Sequence, residues 1–227
     1  QTIIDQLDGA DFIEKTEIAG PGFINFFLSD KSSAAVINEI IEGGDGYGTS
    51  KIGVGQSILL EYVSANPTGP LHVGHGRGAA YGATVSNLLR SIGYKVDNEY
   101  YVNDAGRQMD ILSVSIFLRY LALCGETIRF PDNGYQGKYI NDIASNIMEI
   151  HGVIFHKESA LVFKGICKDE LEGGNKESHI DELISRSKEL LGEGFKSIFT
   201  VGIESILSGI KKDLAEFGVV FEKWFSE

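Results

Sequence analysis

The chain has 227 residues, of which 43% are hydrophobic and 23% are charged. This balance is typical of a globular protein and excludes a disordered or fibrous chain. No apolar run approaches the roughly 20 residues of a membrane helix, and the net charge of −12 disfavours a surface that binds nucleic acid along its whole extent. We therefore expect a cytoplasmic protein of one or two domains that does not bind a membrane.

The first part of the chain predicts a hairpin and a helix. Apolar residues on both sides of a Gly-Pro-Gly sequence predict strand, turn and strand over residues 11–28. Helical periodicity follows over residues 31–41. The glycine-rich run at residues 43–48 then predicts a boundary between domains.

The middle of the chain alternates strands and helices. Residues 57–63 form a mostly apolar run of strand length, as in a buried parallel strand, and residues 95–102 predict a second strand. Each is followed by helical periodicity, over residues 78–92 and 108–123. Because a β-α-β-α order makes the strands parallel with right-handed crossovers, the predicted fold class is α/β with an open, Rossmann-like parallel sheet.

The pattern becomes less regular after residue 125. Residues 135–150 predict a helix, and residues 159–171 are ambiguous. Residues 202–217 predict another helix, and residues 219–221 are expected to begin another strand. We expect residues 126–201 to form a mostly helical insertion attached to the α/β core.

The loop that leaves the strand at residues 57–63 carries the most informative chemistry. Ligands of open α/β sheets bind beyond the carboxyl ends of the strands, and His72 and His75 follow this strand at the start of a helix. Three residues apart, the two histidines share one helical face. There they can donate hydrogen bonds to phosphate oxygens beside a helix N-terminus that favours anions. Gly74 between them allows a ligand to approach the backbone.

Three other interpretations of this loop compete. In the first, the histidines are satisfied surface or core residues. The second is metal binding, since His-x-x-His supplies two ligands. Zinc needs a third ligand and usually a fourth, and the other histidines have no convincing spacing for these. No metal site is therefore expected. The third is a dinucleotide site, because residues 74–79 fit G-x-G-x-x-G/A. That fingerprint needs its first glycine directly after the strand, whereas a loop with two prolines intervenes here.

Residues 65–75 read Ala-Asn-Pro-Thr-Gly-Pro-Leu-His-Val-Gly-His and resemble the HIGH signature of class I aminoacyl-tRNA synthetases. The extended form is similar to that of bacterial-type arginyl-tRNA synthetases. His-x-Gly-His alone is shared with nucleotidyltransferases, so the eleven-residue form carries the specificity. Flanking segments resemble the same family at residues 20–25, 61–64, 76–82, 101–108 and 210–227.

The resemblance implies ATP-dependent activation of L-arginine to arginyl-adenylate and transfer of arginine to tRNA(Arg). It implies that His72 and His75 are catalytic and stabilise the α-phosphate as pyrophosphate leaves. ATP is then a substrate that carries Mg²⁺, with no zinc. The implied ATP-binding residues are Pro67, Thr68, Gly69, His72, Gly74 and His75. The implied arginine-binding residues are Glu61, Ser64, Asn66 and His75, with Asn103 and Asp104 lining the cleft.

The resemblance also divides the chain into four parts. Residues 1–50 would end an N-terminal additional domain, residues 51–125 would begin the catalytic domain, residues 126–201 would be a connective insertion, and residues 202–227 would return to the catalytic core. The sequence contains no K-M-S-K-S-like loop and no anticodon-binding domain. We therefore expect a fragment that is inactive alone, from a monomeric enzyme. A free-standing His-x-Gly-His nucleotidyltransferase and a non-catalytic synthetase paralogue remain alternatives.

Overall fold

A computed structural model describes residues 2–6 and 11–226, which divide into two compact units. The first unit contains the described residues up to Val54 together with Ser91–Gly93, and the second contains Gly55–Arg90 and the described residues from Tyr94 onward. The helices are α1 (Thr2–Asp5), α2 (Asp30–Gly43), α3 (Val73–Ser91), α4 (Arg107–Leu123), α5 (Lys138–His151), α6 (Ser159–Val162), α7 (Lys176–Leu191) and α8 (Glu193–Glu216). The strands are β1 (Ile13–Ala19), β2 (Phe23–Leu28), β3 (Ser57–Glu61), β4 (Lys95–Val102) and β5 (Lys223–Ser226).

The first unit contains the predicted hairpin and helix. β1 and β2 pair antiparallel, with Ala19 opposite Phe23 on either side of the turn. Gly20 and Gly22 adopt φ values of 58° and 101°, which other residues rarely adopt, so the turn depends on glycine. α2 follows as predicted and ends before a single 3-10 turn at Gly44–Gly46.

The second unit is built on a parallel sheet with strand order β3-β4-β5. This arrangement confirms the predicted α/β fold class with a parallel sheet. β4 is central, and its alternate residues Val96, Asn98, Tyr100 and Val102 are buried. β3 was expected to be buried, but Leu59 is 55% exposed. β3 lies at one edge of the sheet that the described residues form.

The last strand lies later in the chain than the sequence predicts. α8 ends in a Schellman-type turn, in which the Val219 amide donates to the Leu214 carbonyl and Gly218 takes a φ of 80°. The apolar run at residues 219–221 therefore enters the core as a connection, with Val219 and Phe221 buried. The strand that was expected to begin at residues 219–221 therefore begins later, where pairing with β4 starts at Lys223.

The helices α4, α5, α7 and α8 pack together beside the sheet. α4 is buried on all sides, and the inward faces of the other helices complete one core with it. Helix α7 was not predicted, because its sequence is mostly polar. It begins where the Asn175 side chain accepts hydrogen bonds from the Glu177 and Ser178 amides, and it buries Ile180 and Leu183. Among the described residues, no helix is both long enough and apolar enough to cross a membrane.

Gly82 provides a test of how α3 packs on the sheet. A Cβ at Gly82 would lie 2.2 Å from the ring of Tyr62, so Gly82→Ala must displace that ring. We expect the free energy of unfolding to fall by about 1–3 kcal/mol. Gly78→Ala is a matched control in the same helix, since a Cβ there meets open space; it should raise the stability by about 0.5–1 kcal/mol. Denaturant unfolding measures both variants, and equal effects would contradict this packing.

Candidate functional site

The two histidines of the motif form a reciprocal cap at the N-terminus of α3. The carbonyl of His72 accepts the first hydrogen bond of the helix from Gly76, so His72 is the N-cap residue. Its ring Nδ1 accepts from the Gly74 amide at 3.1 Å, and the ring Nδ1 of His75 accepts from the His72 amide at 3.2 Å. This arrangement resembles a capping box, with histidines in place of the usual hydroxyl and carboxylate residues. It differs in that the N-cap ring accepts from the amide of the second helical residue, whereas a capping box uses the third.

This cap determines which nitrogen of each ring is free. Because both Nδ1 atoms accept from the backbone, the neutral rings carry their proton on Nε2. The two rings are stacked, with centroids 3.7 Å apart. Burial and the neighbouring His72 both lower the pKa of His75, which favours this neutral form. The site therefore offers two Nε2–H donors side by side at the positive end of a helix.

Gly74 keeps the His72 ring folded over the helix start. A Cβ at Gly74 would lie 2.9 Å from Cε1 of His72, closer than real side chains approach. Any other residue there would press on the ring that caps the helix. The glycine between the two histidines is thus explained by the geometry of the cap itself.

The chain turns sharply where it leaves β3. Val63 and Ser64 have φ values of 66° and 39°, and the Ser64 amide donates to the carbonyl of Tyr62 at 2.9 Å. A three-residue turn with positive φ at a β-branched residue is strained. Such strain persists only where surrounding contacts hold it, and it is common at functional sites.

The contacts that hold this turn come from β4. The hydroxyl of Tyr100 accepts from the Ala65 amide at 3.0 Å and donates to the Ala65 carbonyl at 2.9 Å. Tyr100 is fully buried, and burial raises its pKa to about 12, so its hydroxyl keeps its proton. One residue along the strand, the Tyr101 amide donates to the Ser64 hydroxyl at 3.1 Å. The strained turn is therefore attached to the central strand.

The proline-containing loop is contacted by the helical layer. The Tyr139 hydroxyl donates to the carbonyl of Thr68 at 2.7 Å, and a Cβ at Gly69 would lie 3.0 Å from that hydroxyl. Burial raises the pKa of Tyr139, and it also raises the pKa of Tyr135, where a hydrogen bond with the Thr68 side chain opposes the rise. Pro67 is buried at the start of this segment.

The other residues predicted for the site also lie beyond the carboxyl ends of the parallel strands. Glu61 is exposed at the end of β3, opposite Glu99 of β4. The Asn66 amide donates to the Gln108 side chain at 2.7 Å, which connects the loop to the start of α4. Asn103 is partly buried after β4, and Asp104 accepts a hydrogen bond from Ser226 at the end of β5. Asp104 therefore contacts the third strand.

Sequence reasoning missed the two tyrosines that hold the loop. Tyr100 sits in the buried alternation of β4, and a buried tyrosine hydroxyl requires a partner, so its position was a usable signal. Tyr139 carried no such signal, because its contact with Thr68 spans 71 positions in the chain. Within residues 2–6 and 11–226, no group of three or more histidine, cysteine or acidic side chains is placed to hold a metal ion.

Two family descriptions match the chain. The one for "tRNA synthetases class I (R), catalytic domain" matches residues 37–121, and the one for "Arginyl tRNA synthetase N terminal domain" matches residues 1–28. The arginine–tRNA ligase of Hydrogenovibrio crunogenus is 54% identical over 100% of this chain and 40% of its own length. That of Thioalkalivibrio sulfidiphilus is 51% identical over 100% of this chain and 39% of its own length.

Solved structures of arginyl-tRNA synthetases are also similar to this chain. A crystal structure of an arginyl tRNA synthetase from Campylobacter jejuni has a TM-score of 0.65 and 30% identity, over 88% of this chain and 37% of that one. The arginyl-tRNA synthetase of Thermus thermophilus has a TM-score of 0.52 at 20% identity, over 100% of this chain and 32% of that one, which shows likeness of fold.

β3, β4 and the capped histidine pair thus lie within the segment that matches the class I tRNA synthetase catalytic domain. The chain spans about two fifths of the length of the curated relatives that it matches. It belongs to the arginyl-tRNA synthetase family.

Proposed function

We propose that the chain is the part of an arginine–tRNA ligase that contributes one half of the ATP site and part of the arginine site. The observation that carries this proposal is the histidine cap, which presents two Nε2–H donors at the N-terminus of α3. Hydrogen-bond donors fixed in this way stabilise negative charge on phosphate without reorganising during the reaction. The names of the relatives support arginine and tRNA(Arg) as the substrates.

In the proposed first step, a carboxylate oxygen of L-arginine attacks the α-phosphorus of ATP. The bond from that phosphorus to the bridging oxygen breaks, so that pyrophosphate leaves and arginyl-adenylate forms. His72 and His75 donate from Nε2 to oxygens of the reacting phosphate, and the N-terminus of α3 adds its positive end. Mg²⁺ arrives with ATP and offsets the charge of the leaving pyrophosphate. A hydroxyl of the terminal adenosine of tRNA(Arg) then attacks the arginyl carbonyl, and AMP leaves.

The arginine site would use groups at the ends of β3 and the loop. Glu61 attracts the α-ammonium group of arginine. Ser64 accepts from Tyr101 through its oxygen and so keeps its own O–H to donate to the substrate carboxylate. Asn66 uses one N–H towards Gln108 and retains the other. Asn103 lines the same cleft together with Asp104.

The ATP site would use the loop and the start of α3. Pro67, Thr68 and Gly69 give the nucleotide a backbone surface whose path the surrounding contacts fix, and Gly74 allows close approach beside the histidines. We further propose that these 227 residues are inactive alone, since the chain spans about two fifths of the length of its curated relatives. We also propose that the complete enzyme is a monomer.

A charging assay tests this function. The complete gene product is incubated with ATP, Mg²⁺, total tRNA and each labelled amino acid in turn, and acid-precipitable label is counted. We expect label from arginine alone, and none without ATP. Transfer of a nucleotidyl group to a small phosphorylated acceptor, with no charging of tRNA, would instead favour the free-standing nucleotidyltransferase.

A further inference from the structure

The backbone of the loop from residue 62 to residue 72 is held at three places, and side-chain hydrogen bonds of Ser64, Asn66 and Thr68 add to these attachments. At its start, Tyr100 holds both backbone groups of Ala65. At its end, the histidine cap fixes the path into α3. Between them, the Tyr139 hydroxyl holds the carbonyl of Thr68. The first attachment belongs to the sheet and the second to α3, whereas the third comes from a helix about 70 positions further along the chain.

Tyr139 is itself held in one orientation. Its ring lies against the backbone of Gly137, where a Cβ would be 2.3 Å from ring atom Cε1, and against Gly69 on the loop. The next residues of α5 are anchored in the core, since Ile140, Ile143 and Ile147 are buried. The hydroxyl is therefore presented to the loop from a helix with little freedom to move.

We propose that Tyr139 is a positioning residue for the adenylation reaction: its hydroxyl sets the path of the loop that delivers His72 and His75. This inference rests on the proposed function. The loop between the two terminal attachments contains Pro67 and Pro70, which fix φ but supply no amide donor. The hydrogen bond from Tyr139, which lies outside the loop, thus fixes the position of the middle of the loop at Thr68. A small shift there moves the histidines relative to the phosphate, and misplacement by about 1 Å costs up to about 10²-fold in rate.

The test uses Tyr139→Phe in the complete gene product, because this change removes the hydroxyl and keeps the ring. We expect the kcat of arginine-dependent ATP–pyrophosphate exchange to fall about two- to tenfold, the range expected for one hydrogen bond. The KM for arginine should stay within about twofold, because Ser64 and Asn66 are held separately, by Tyr101 and Gln108. Amide hydrogen exchange at Thr68 and Gly69 should become faster, with no change in α5.

Three further variants keep this test decisive. Gly69→Ala adds a Cβ 3.0 Å from the Tyr139 hydroxyl and should lower kcat in the same direction, whereas Gly209→Ala, where a Cβ meets open space, should not. Tyr47→Phe, in the other unit, controls for loss of a tyrosine hydroxyl.

Wild-type kcat and wild-type amide exchange in Tyr139→Phe would overturn the proposal. So would a uniform rise in exchange with a lower Tm, which indicates a merely structural role. If the wild-type protein shows no pyrophosphate exchange with any amino acid, the proposed function fails. In that case, the amide exchange of Thr68 and Gly69 still decides whether Tyr139 fixes the loop.

Discussion

Replacing His75 with glutamine is expected to slow arginine-dependent ATP–pyrophosphate exchange by about 10²–10³-fold while leaving the fold intact. Glutamine at the third position of a helix can reach back to the N-cap amide, so the substitution preserves the cap that His75 makes with His72. It removes the imidazole Nε2–H that we assign to the phosphate, and the glutamine amide N–H that remains beside the capping oxygen does not occupy the same position. Exchange kinetics and thermal unfolding of the same preparation measure the two consequences separately.

Two substitutions of His72 serve as controls that distinguish a loss of activity from a loss of stability. His72→Asn keeps an N-cap acceptor for the Gly74 amide, whereas His72→Ala removes it and should lower the stability by about 0.5–2 kcal/mol. Both variants should lose exchange activity to a similar extent. If His72→Asn and His75→Gln retained wild-type rates, the histidines would be caps only, and the proposed catalytic role would be wrong.

Replacing Tyr100 with phenylalanine is expected to have the largest effect on stability. The change leaves the amide and the carbonyl of Ala65 without their partner in the buried core. A buried polar group without a partner costs about 1–3 kcal/mol, so we expect a loss of about 2–4 kcal/mol for the two together. Denaturant unfolding at equilibrium gives the value.

Tyr81→Phe is the matched control, since Tyr81 is 75% exposed on α3. Its free energy of unfolding should stay within about 0.5 kcal/mol of the wild-type value. A loss below about 1 kcal/mol in Tyr100→Phe would mean that the strained turn at Val63 and Ser64 relaxes without this anchor. The account of the loop as a segment held by β4 would then be wrong.

The main features of the fold could be predicted from the sequence. Residues 57–63 and 95–102 were both identified as parallel strands, although the apolar run at residues 57–63 overstated the burial of β3. The start of α3 was placed five residues too late. The prediction followed the apolar residues, whereas the helix begins where the ring nitrogens of His72 and His75 accept backbone hydrogen bonds.

Helix α7 shows how a mostly polar helix is missed. Its buried face includes His179 and Ser187, but Ile180, Leu183 and Ile184 on the same face recur at helical spacing and were a usable signal. Its core contacts come from distant helices, so they determine its structure more than local propensity does. The short strand β5 was misplaced for a related reason, because Val219 and Phe221 are buried without pairing in the sheet.

The site was predictable in its location and partly in its residues. A loop beyond the carboxyl end of a parallel strand is where open α/β sheets bind ligands, and the motif within it named the histidines. The strained turn at Val63 and its anchors could not be predicted, since both depend on contacts between segments distant in the chain. The substrate contacts assigned to Glu61 and Asn66 stay predictions.

ATP–pyrophosphate exchange by the complete gene product, measured with each of the twenty amino acids and with and without total tRNA, tests the central claim most directly. We expect exchange with arginine alone, abolished in His75→Ala. Exchange with a different amino acid would keep the class I chemistry and contradict the assignment of the arginine site. A correctly folded protein that catalyses no exchange with any amino acid, with or without tRNA, would contradict the proposal that this histidine pair activates arginine.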